Sequence, residues 1–510
     1  MIGSSRKRRE ATTEKQLQAE LSTYRHAFET TATDRDRWKA IAEQALIETA
    51  SPVKSLPADS DLLPPIDLAT QHVLARRLSM RQTADHYFFI DVVGTCNLRC
   101  PSCAVGNMPA PPVKGLMSAR KFEDVLTKIR ADYGEHQRVF LDLYNWGEPG
   151  LHPKLSELVK LAKNAGFGVG ISSNLNVFPD LRDVIKAEPD YIRVSLSGLR
   201  QATYETTHKG GSVFALLSNL YRLRDLLNLY ASQTIVQMGF HVYRTNFPTD
   251  FLAARSLCDE LGFLFSPVLA TLMPAERTVA MAEGRPSDHF DEDLLEKLVL
   301  SVDETLAIFR AHGPPTEDCQ FRQARTTINF DASVSLCCAT YERNSVISSD
   351  FLTTSRDQIE ARKYDHGFCA DCMGSHVNKL YTGFNAAEKQ DAAISVLGPL
   401  YAAYLDQTKL MGSAKHVVVG ESFESKQAVY ERGLSALSHG EPGWNEAETC
   451  FDALVTGAPD FAEGFFQAAA LARRRGQKAT ARALAQRANE LDPNQPNYRR
   501  LKDDLDGVSE

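Results

Sequence analysis

Strand-like and helix-like segments alternate regularly from about residue 85 to residue 270. Runs with helical periodicity separate six short segments rich in aliphatic and aromatic residues. These segments are HYFFIDVVG, RVFLDLYN, GVGISSN, YIRVSLS, TIVQMGFHVY and FLFSPVL. Strands that alternate with helices form parallel sheets with crossover connections. The pattern therefore predicts an α/β fold with six parallel strands, either an open doubly wound sheet or a partial barrel.

Two of the helices carry recognisable end signals. Ser118 precedes ARKFEDVLTKIR and is a suitable N-cap, because its hydroxyl oxygen accepts a free backbone N–H of the first turn. Gly166 follows KLSELVKLAKNA and is suited to the left-handed conformation that ends many helices.

The length and net charge of the chain exclude several classes of protein. A chain of 510 residues is too long for one compact core. The net charge of −8 argues against nucleic-acid binding, since phosphate backbones require a basic surface. No run of about 18 apolar residues predicts a membrane span. The basic start, MIGSSRKRRE, is not followed by an apolar stretch, so we expect a cytoplasmic protein without an export signal.

Shifts in composition predict seven segments along the chain. They are a helical, possibly coiled-coil arm (1–50), a linker and lead-in (51–84), the strand–helix region (85–275), a connector (276–315), a small strand-poor cysteine-bearing domain (316–384), a helical linker (385–420) and a helical tail (421–505).

The helical tail shows a repeat of 34 residues. Pro459 and Pro493 are separated by this interval, and so are Ala447 and Ala481, while Gly476 marks a turn between paired helices. This is the period of tetratricopeptide repeats, of which about two are visible. An unrelated pair of helical hairpins is the alternative.

Three cysteines follow the first predicted strand with the spacing C-x3-C-x2-C. They are Cys96, Cys100 and Cys103. Clustered cysteines in a chain without an export signal more often hold metal than form disulfides. Three thiolates on one loop suit three irons of a 4Fe–4S cluster and leave the fourth iron open. A zinc site normally needs four Cys or His ligands, and no fourth one lies nearby.

The run FFIDVVGTCNLRCPSC resembles the signature of the radical S-adenosylmethionine (radical SAM) superfamily. The resemblance covers roughly residues 85–275 and implies a partial (β/α)6 barrel. It also implies that S-adenosylmethionine binds the open iron and is cleaved, after one-electron reduction, to a 5′-deoxyadenosyl radical that abstracts a substrate hydrogen. A reductant such as flavodoxin or ferredoxin is implied as the electron source.

Several strand ends are similar to the family's cofactor-binding segments. Gly147, Glu148 and Pro149 resemble its GGE-type segment, whose carboxylate and carbonyl groups accept hydrogen bonds from the methionine ammonium. Ser173 and Asn174 resemble the segment near the ribose and carboxylate, and Ser195 matches a serine of the fourth strand. No catalytic base is assigned.

A second cysteine group lies downstream. Its candidate metal ligands are Cys319, Cys337, Cys369 and Cys372. The group resembles the auxiliary-cluster modules called SPASM and Twitch; four ligands suffice for one extra 4Fe–4S cluster, as in a Twitch module. Cys338 is an alternative to Cys337, and a structural zinc is an alternative to the cluster.

Three functions remain open at this stage. The first is oxidation or epimerisation of a sugar-like small molecule, favoured because similar Twitch enzymes include aminocyclitol dehydrogenases. The second is modification of a peptide or protein partner docked on the helical repeats, since such repeats present concave surfaces. The third is a non-catalytic iron–sulfur scaffold.

Overall fold

The computed structural model divides the chain into two compact units. The first contains Gln82–Tyr401, and the second joins residues 68–81 to the chain from Ala402 onward. The residues described are 68–107, 115–285, 290, 292–311, 318–382, 387–412, 416–419, 422–458, 461–493 and 495–507. The expected N-terminal arm, residues 1–50, lies outside them.

A nine-stranded sheet forms the centre of the first unit. Its strands are β1 (His86–Ile90), β2 (Val139–Asp142), β3 (Gly168–Ser173), β4 (Tyr191–Leu196), β5 (Ile235–Val242), β6 (Leu264–Leu269), β7 (Arg325–Ile328), β8 (Val334–Ser335) and β9 (Val346–Ser348). Their order is β6-β5-β4-β3-β2-β1-β7-β8-β9. Neighbours from β6 to β7 are parallel, and β8 is antiparallel to both its neighbours.

The first six strands confirm the predicted α/β fold. They occur in sequential order, so every crossover connection advances in the same direction. That is the order of a partial (β/α)6 barrel rather than of a doubly wound sheet, in which the order reverses at a switch point.

Helices fill the connections of the first unit and most of the second. They are α1 (Leu68–Arg81), α2 (Ala104–Asn107), α3 (Ala119–Tyr133), α4 (Leu155–Asn164), α5 (Leu181–Lys186), α6 (Gln201–Thr207), α7 (Val213–Leu229), α8 (Thr249–Leu261), α9 (Ala275–Ala282), α10 (Glu292–Lys297), α11 (Val302–Ala311), α12 (Gln320–Ala324), α13 (Arg356–Asp365), α14 (Gly367–Gly374), α15 (Val377–Tyr381), α16 (Ala387–Leu397), α17 (Pro399–Gly412), α18 (Lys426–Ser438), α19 (Trp444–Gly457), α20 (Ala462–Arg474), α21 (Lys478–Leu491) and α22 (Pro496–Asp506).

Both predicted helix-end signals are present. The Ser118 hydroxyl oxygen accepts the backbone N–H of Lys121 at 3.2 Å and begins α3. Gly166 has a φ of 76°, and its N–H donates to the Lys163 carbonyl just beyond α4.

The two faces of the sheet differ in chemistry because side chains alternate along each strand. One face carries fully buried apolar residues, among them Phe88, Leu141, Ile171, Val194 and Met238. The other face carries polar residues in register, including Asp142 on β2, Arg193 on β4 and Gln237 on β5. We call this second face the inner face. The polar side chains of the sheet that could contact a ligand lie on this face.

The cysteine-bearing segment differs from the expectation of a small, strand-poor domain. Its strand β7 pairs with β1 in parallel, from Tyr87 with Arg325 to Ile90 with Ile328, and the β8–β9 hairpin continues the same sheet. The short β-branched run RTTI makes this strand. Within the described residues 318–382, the segment is therefore part of the first unit.

The described residues of the second unit are helical apart from one hairpin. Helix α1 belongs to it, although these residues were expected in a linker; Arg76 Nε donates to the Gly457 carbonyl at 3.4 Å. The hairpin β10 (His416–Val419) and β11 (Ser422–Ser425) was not predicted. Ala447 on α19 and Ala481 on α21 are both fully buried. The tetratricopeptide assignment stays a prediction, and Pro459 lies outside the described residues.

None of the helices in the described part of the chain is both long and apolar enough to span a membrane.

Replacing Gly170 with alanine should destabilise the first unit. An added Cβ would lie 2.3 Å from the Tyr191 ring and 2.5 Å from Asp142 Oδ1, both buried. Overpacking of this kind costs about 1–3 kcal/mol. Urea unfolding of Gly170→Ala should show that loss. The control Gly374→Ala, which has open space around it, should unfold like the wild type; equal stability of the two variants would contradict the packing described.

Candidate cofactor site and auxiliary cysteine site

The loop between β1 and α2 carries the first cysteine group, and a buried carboxylate anchors its start. Asp91, just after β1, accepts the N–H groups of Trp146 at 3.2 Å and Gly147 at 3.1 Å. Burial raises the pKa of Asp91 to about 7. A Cβ on Gly147 would lie 1.5 Å from the Val93 carbonyl oxygen. Only glycine at this position therefore allows the loop after β2 to lie so close to the loop after β1. The segments after β1 and β2 are thereby held together.

The three thiols lie on one turn. Cys96 Sγ accepts the Leu98 N–H at 3.4 Å, and the Cys103 N–H donates to the Cys100 carbonyl at 3.0 Å. Burial, then the Glu148 charge, raises the pKa of Cys96 to about 12, and burial also raises the pKa values of Cys100 and Cys103. Thiols in such a setting lose their protons when a cation binds them. The donor set therefore fits an iron cluster.

No three Cys, His, Asp or Glu side chains among the described residues are arranged to hold a single metal ion. Each thiolate of a 4Fe–4S cluster binds a different iron, so cluster ligands stand farther apart than the ligands of one ion.

Glu148 connects the ends of β2 and β3. Its Oε1 accepts the Ser173 hydroxyl at 2.6 Å and the Gly150 N–H at 2.9 Å, and its Oε2 accepts the Asn174 N–H at 2.8 Å. Burial raises the pKa of Glu148 to about 7. Most of the acceptor capacity of this carboxylate is thus used within the chain. Pro149 begins the single 3-10 turn, Pro149–Leu151, that Glu148 caps.

Asn174 links β3 to the cysteine loop. Its side-chain amide donates to Asn97 Oδ1 at 3.0 Å and to Cys96 Sγ at 3.6 Å. The loop is also held from the other side, where the Arg99 N–H donates to the Lys209 carbonyl at 2.9 Å. Five of the six predicted cofactor-binding residues, Gly147, Glu148, Pro149, Ser173 and Asn174, therefore cluster around this loop.

Ser195, the sixth, lies apart from that network. It is half-buried on β4, opposite Gly239 of β5, and its hydroxyl has no hydrogen-bond partner in the described part of the chain. It remains available to a ligand.

The second cysteine group gathers elements that are distant in sequence. Cys319 and Cys337 pack in one apolar cluster with Phe321 and Phe368. Cys369 and Cys372 lie on α14, burial raises the pKa of each thiol, and Cys319 is a neighbour of both. The four candidate ligands are thus close neighbours in the first unit.

Cys337 and Cys338 face different surroundings. Burial raises the pKa of the Cys337 thiol, whose neighbours include Cys338 and Cys372. Burial raises the pKa of Cys338 to about 11, against the effect of Arg325. Arg325 and Asp142 are inner-face residues, so Cys338 is turned toward the sheet and Cys337 toward α14.

Glu276 on α9 borders the second cysteine group. Its Oε1 accepts the Ser345 hydroxyl at 2.6 Å and the N–H groups of Tyr341 and Glu342 at 3.0 and 3.1 Å. Its Oε2 is buried and has no partner among the described residues. A buried acceptor without a hydrogen-bond donor is uncommon in protein cores. It is compatible with a site that is completed by a bound group.

The inner face carries two functional groups, Asp142 and Tyr191, that the sequence reasoning missed. Tyr191 donates its hydroxyl proton to Asp142 at 2.5 Å, and the Tyr144 and Tyr191 hydroxyls are 3.2 Å apart. Burial raises the pKa of Asp142 to about 6, although Tyr191, Arg325 and Arg193 act in the opposite direction. The sequence signal for this face was a charged residue in an otherwise apolar strand, namely Asp142 in VFLD and Arg193 in YIRVSL.

Residues 90–240 match the family model described as the radical SAM superfamily. The chain contains a radical SAM domain. The matched residues run from the end of β1 into β5 and include the first cysteine group and all six predicted cofactor-binding residues.

Two curated proteins are similar to part of the chain. A putative glycyl-radical enzyme activating enzyme of Methanocaldococcus jannaschii is 27% identical over 135 residues, which are 26% of this chain and 49% of the relative. A tungsten-containing aldehyde ferredoxin oxidoreductase cofactor-modifying protein of Pyrococcus furiosus is 27% identical over 119 residues, 23% of this chain and 32% of the relative. The chain thus spans half or less of the length of these relatives.

Solved structures similar to this chain include anSMEcpe with bound AdoMet and SuiB of Streptococcus suis bound to the precursor peptide SuiA. The first is 14% identical, with a TM-score of 0.37, covering 63% of this chain and 96% of that one. The second is 12% identical, with a TM-score of 0.37, covering 58% and 69%.

Removing the Asp142 charge should remove one step in the pH dependence of stability. The folded pKa of about 6 lies above the ordinary value of about 3.9. The folded state therefore binds the proton more tightly, and the free energy of unfolding falls as pH rises from about 4 to about 6. A shift of this size corresponds to about 2–3 kcal/mol.

Asp142→Asn keeps an acceptor for Tyr191 and cannot titrate. The difference in unfolding free energy between wild type and variant, measured in urea from pH 4 to pH 8, should change across this window and be constant above it. A difference that does not vary with pH would contradict the burial of an ionisable Asp142.

Proposed function

We propose that this protein is a radical SAM enzyme whose catalytic 4Fe–4S cluster is held by Cys96, Cys100 and Cys103. The observation that carries the proposal is the arrangement of these three thiols on one loop at the carboxyl edge of the parallel sheet, within the matched domain. These cysteines would hold the cluster, and S-adenosylmethionine bound there would supply radical chemistry: one-electron reduction would cleave it to methionine and a 5′-deoxyadenosyl radical able to take a hydrogen atom from the substrate.

The chain's own residues position that cofactor. Asp91 and Glu148 fix the loops after β1 and β2 by accepting backbone N–H groups. Asn174 donates to the Cys96 sulfur, which stabilises a thiolate there. Ser195, with its unused hydroxyl, and the carbonyl groups around Gly147 are the proposed contacts of the methionine portion.

We assign an auxiliary 4Fe–4S cluster to Cys319, Cys337, Cys369 and Cys372. Support comes from their mutual proximity. Cys337 is preferred to Cys338 because the Cys372 thiol and Glu276 are among its neighbours, whereas Arg325 and Asp142 border Cys338. Four thiolates leave no open iron, so this site would carry an electron rather than bind a second S-adenosylmethionine.

The proposed reaction is oxidation or epimerisation of a sugar-like small molecule, with a flavodoxin or ferredoxin as reductant. The inner face supports this choice, since tyrosine hydroxyls, Asp142 and Arg193 offer hydrogen bonds to a polyhydroxylated substrate. The helical second unit remains a candidate docking site for a peptide or protein partner.

Cys96→Ala should abolish S-adenosylmethionine cleavage. After anaerobic reconstitution, wild type should bind about eight irons and the variant about four. With dithionite, wild type should release 5′-deoxyadenosine and the variant should release none. Cys258→Ala alters a fully buried thiol of α8 and serves as the control with wild-type values. Wild type that binds iron without releasing 5′-deoxyadenosine would favour the scaffold function.

Adjacent cysteines give a matched test of the auxiliary site. Cys337→Ala should lower the iron content from about eight to about four, whereas Cys338→Ala should keep it near eight. Iron and zinc are measured together in each reconstituted protein. A wild type with about four irons and one zinc, or loss of iron only in Cys338→Ala, would contradict the assignment.

A further inference from the structure

The guanidinium of Arg193 has no hydrogen-bond partner in the part of the chain that the structure describes. Arg193 is half-buried on the inner face of β4, between Ser172 of β3 and Gln237 of β5. Gln237 donates its side-chain amide to Ser266 Oγ at 3.0 Å and so is engaged elsewhere. Half-buried guanidinium groups normally have an acceptor, because desolvation without one is costly.

A glycine on the neighbouring strand makes room for this side chain. A Cβ on Gly239 would lie 2.6 Å from Arg193 Nε and 3.1 Å from Nη2. Gly239 has no positive φ, so its backbone does not require glycine. The absence of a side chain at this position therefore serves the placement of the guanidinium across β5.

The ionisable groups around Arg193 carry more positive than negative charge. Asp142 is the nearby carboxyl, and it already accepts the Tyr191 hydroxyl. Arg193 and Arg325 both lower its pKa, so two guanidinium groups approach one carboxyl. Burial and then Arg193 lower the pKa of His241 to about 3, which keeps that ring neutral.

We propose that Arg193 binds an anionic group of the substrate, a carboxylate or a phosphate, and that the substrate is therefore an anionic sugar-like molecule. This inference rests on the proposed function. The planar guanidinium offers paired N–H donors that match either anion.

The position of Arg193 also orients the substrate. Ser195 lies two residues further along the same face of β4, about 7 Å nearer the carboxyl edge. The cysteine loop lies at that edge. The anionic group is then held deep on the inner face, and the carbon that loses hydrogen points toward the cofactor.

Equilibrium binding to the reconstituted, S-adenosylmethionine-loaded full-length protein tests the proposal. The probes are inorganic phosphate, glucuronate and glucose, measured by calorimetry. At least one anion should bind more than tenfold tighter than glucose. Tight binding of phosphate alone would identify a phosphate site, and tight binding of glucuronate alone would identify a carboxylate site. Arg193→Gln and Gly239→Ala should each weaken that binding about tenfold or more. Arg138→Gln, an exposed residue paired with Asp85, should not.

Three results would overturn the anion site. They are glucose binding as tightly as both anions, unchanged anion binding by Arg193→Gln, and loss of S-adenosylmethionine affinity in Arg193→Gln, which would assign the residue to the cofactor. Release of 5′-deoxyadenosine by the same wild-type preparation separates the two claims. Release without Arg193-dependent anion binding refutes the anion site alone, whereas Arg193-dependent binding without release refutes the radical SAM function alone.

Discussion

Two buried carboxylates hold the carboxyl edge of the parallel sheet together, and the cysteine loop depends on both. Asp91 accepts N–H groups from the segment after β2, while Glu148 reaches from that segment to Ser173 and Asn174 at the end of β3. Asn174 then contacts the Cys96 sulfur. Loops that follow parallel strands have few contacts of their own, so these side chains supply the rigidity that a cofactor site requires.

The same contacts change the role expected of Glu148. The resemblance implies that the carboxylate and the backbone carbonyls of this segment accept the methionine ammonium, and three donors of the chain already occupy most of the acceptor sites of the carboxylate. Its main role in the described structure is to position β2 and β3. Backbone carbonyls near Gly147 are the proposed contacts of the methionine ammonium, and the Ser195 hydroxyl has no hydrogen-bond partner in the described part of the chain.

Strand and helix periodicity predicted β1 to β6, and single residues predicted the caps at Ser118 and Gly166, because these depend on local patterns. Periodicity left the strand order open between a doubly wound sheet and a partial barrel, which the structure decides. It did not reveal that RTTI would pair with β1, since a four-residue strand has too little periodicity and its partner is more than two hundred residues away. Helix α1 was missed for a related reason: its packing against α19 depends on contacts distant in sequence. Arg193 was overlooked because a single charge in an apolar strand is typical of a solvent-facing position. Its register opposite Gln237, and the space left beside it by Gly239, place it on the inner face.

The central claim is that Cys96, Cys100 and Cys103 hold a cluster with one open iron that binds S-adenosylmethionine. The most direct measurement is the electron paramagnetic resonance spectrum of the dithionite-reduced cluster in the double variant Cys369→Ala/Cys372→Ala, which leaves only the first cysteine group complete. A single reduced 4Fe–4S cluster with one open iron should give one signal, with g-values that shift when S-adenosylmethionine is added. A signal that S-adenosylmethionine leaves unchanged would contradict this claim.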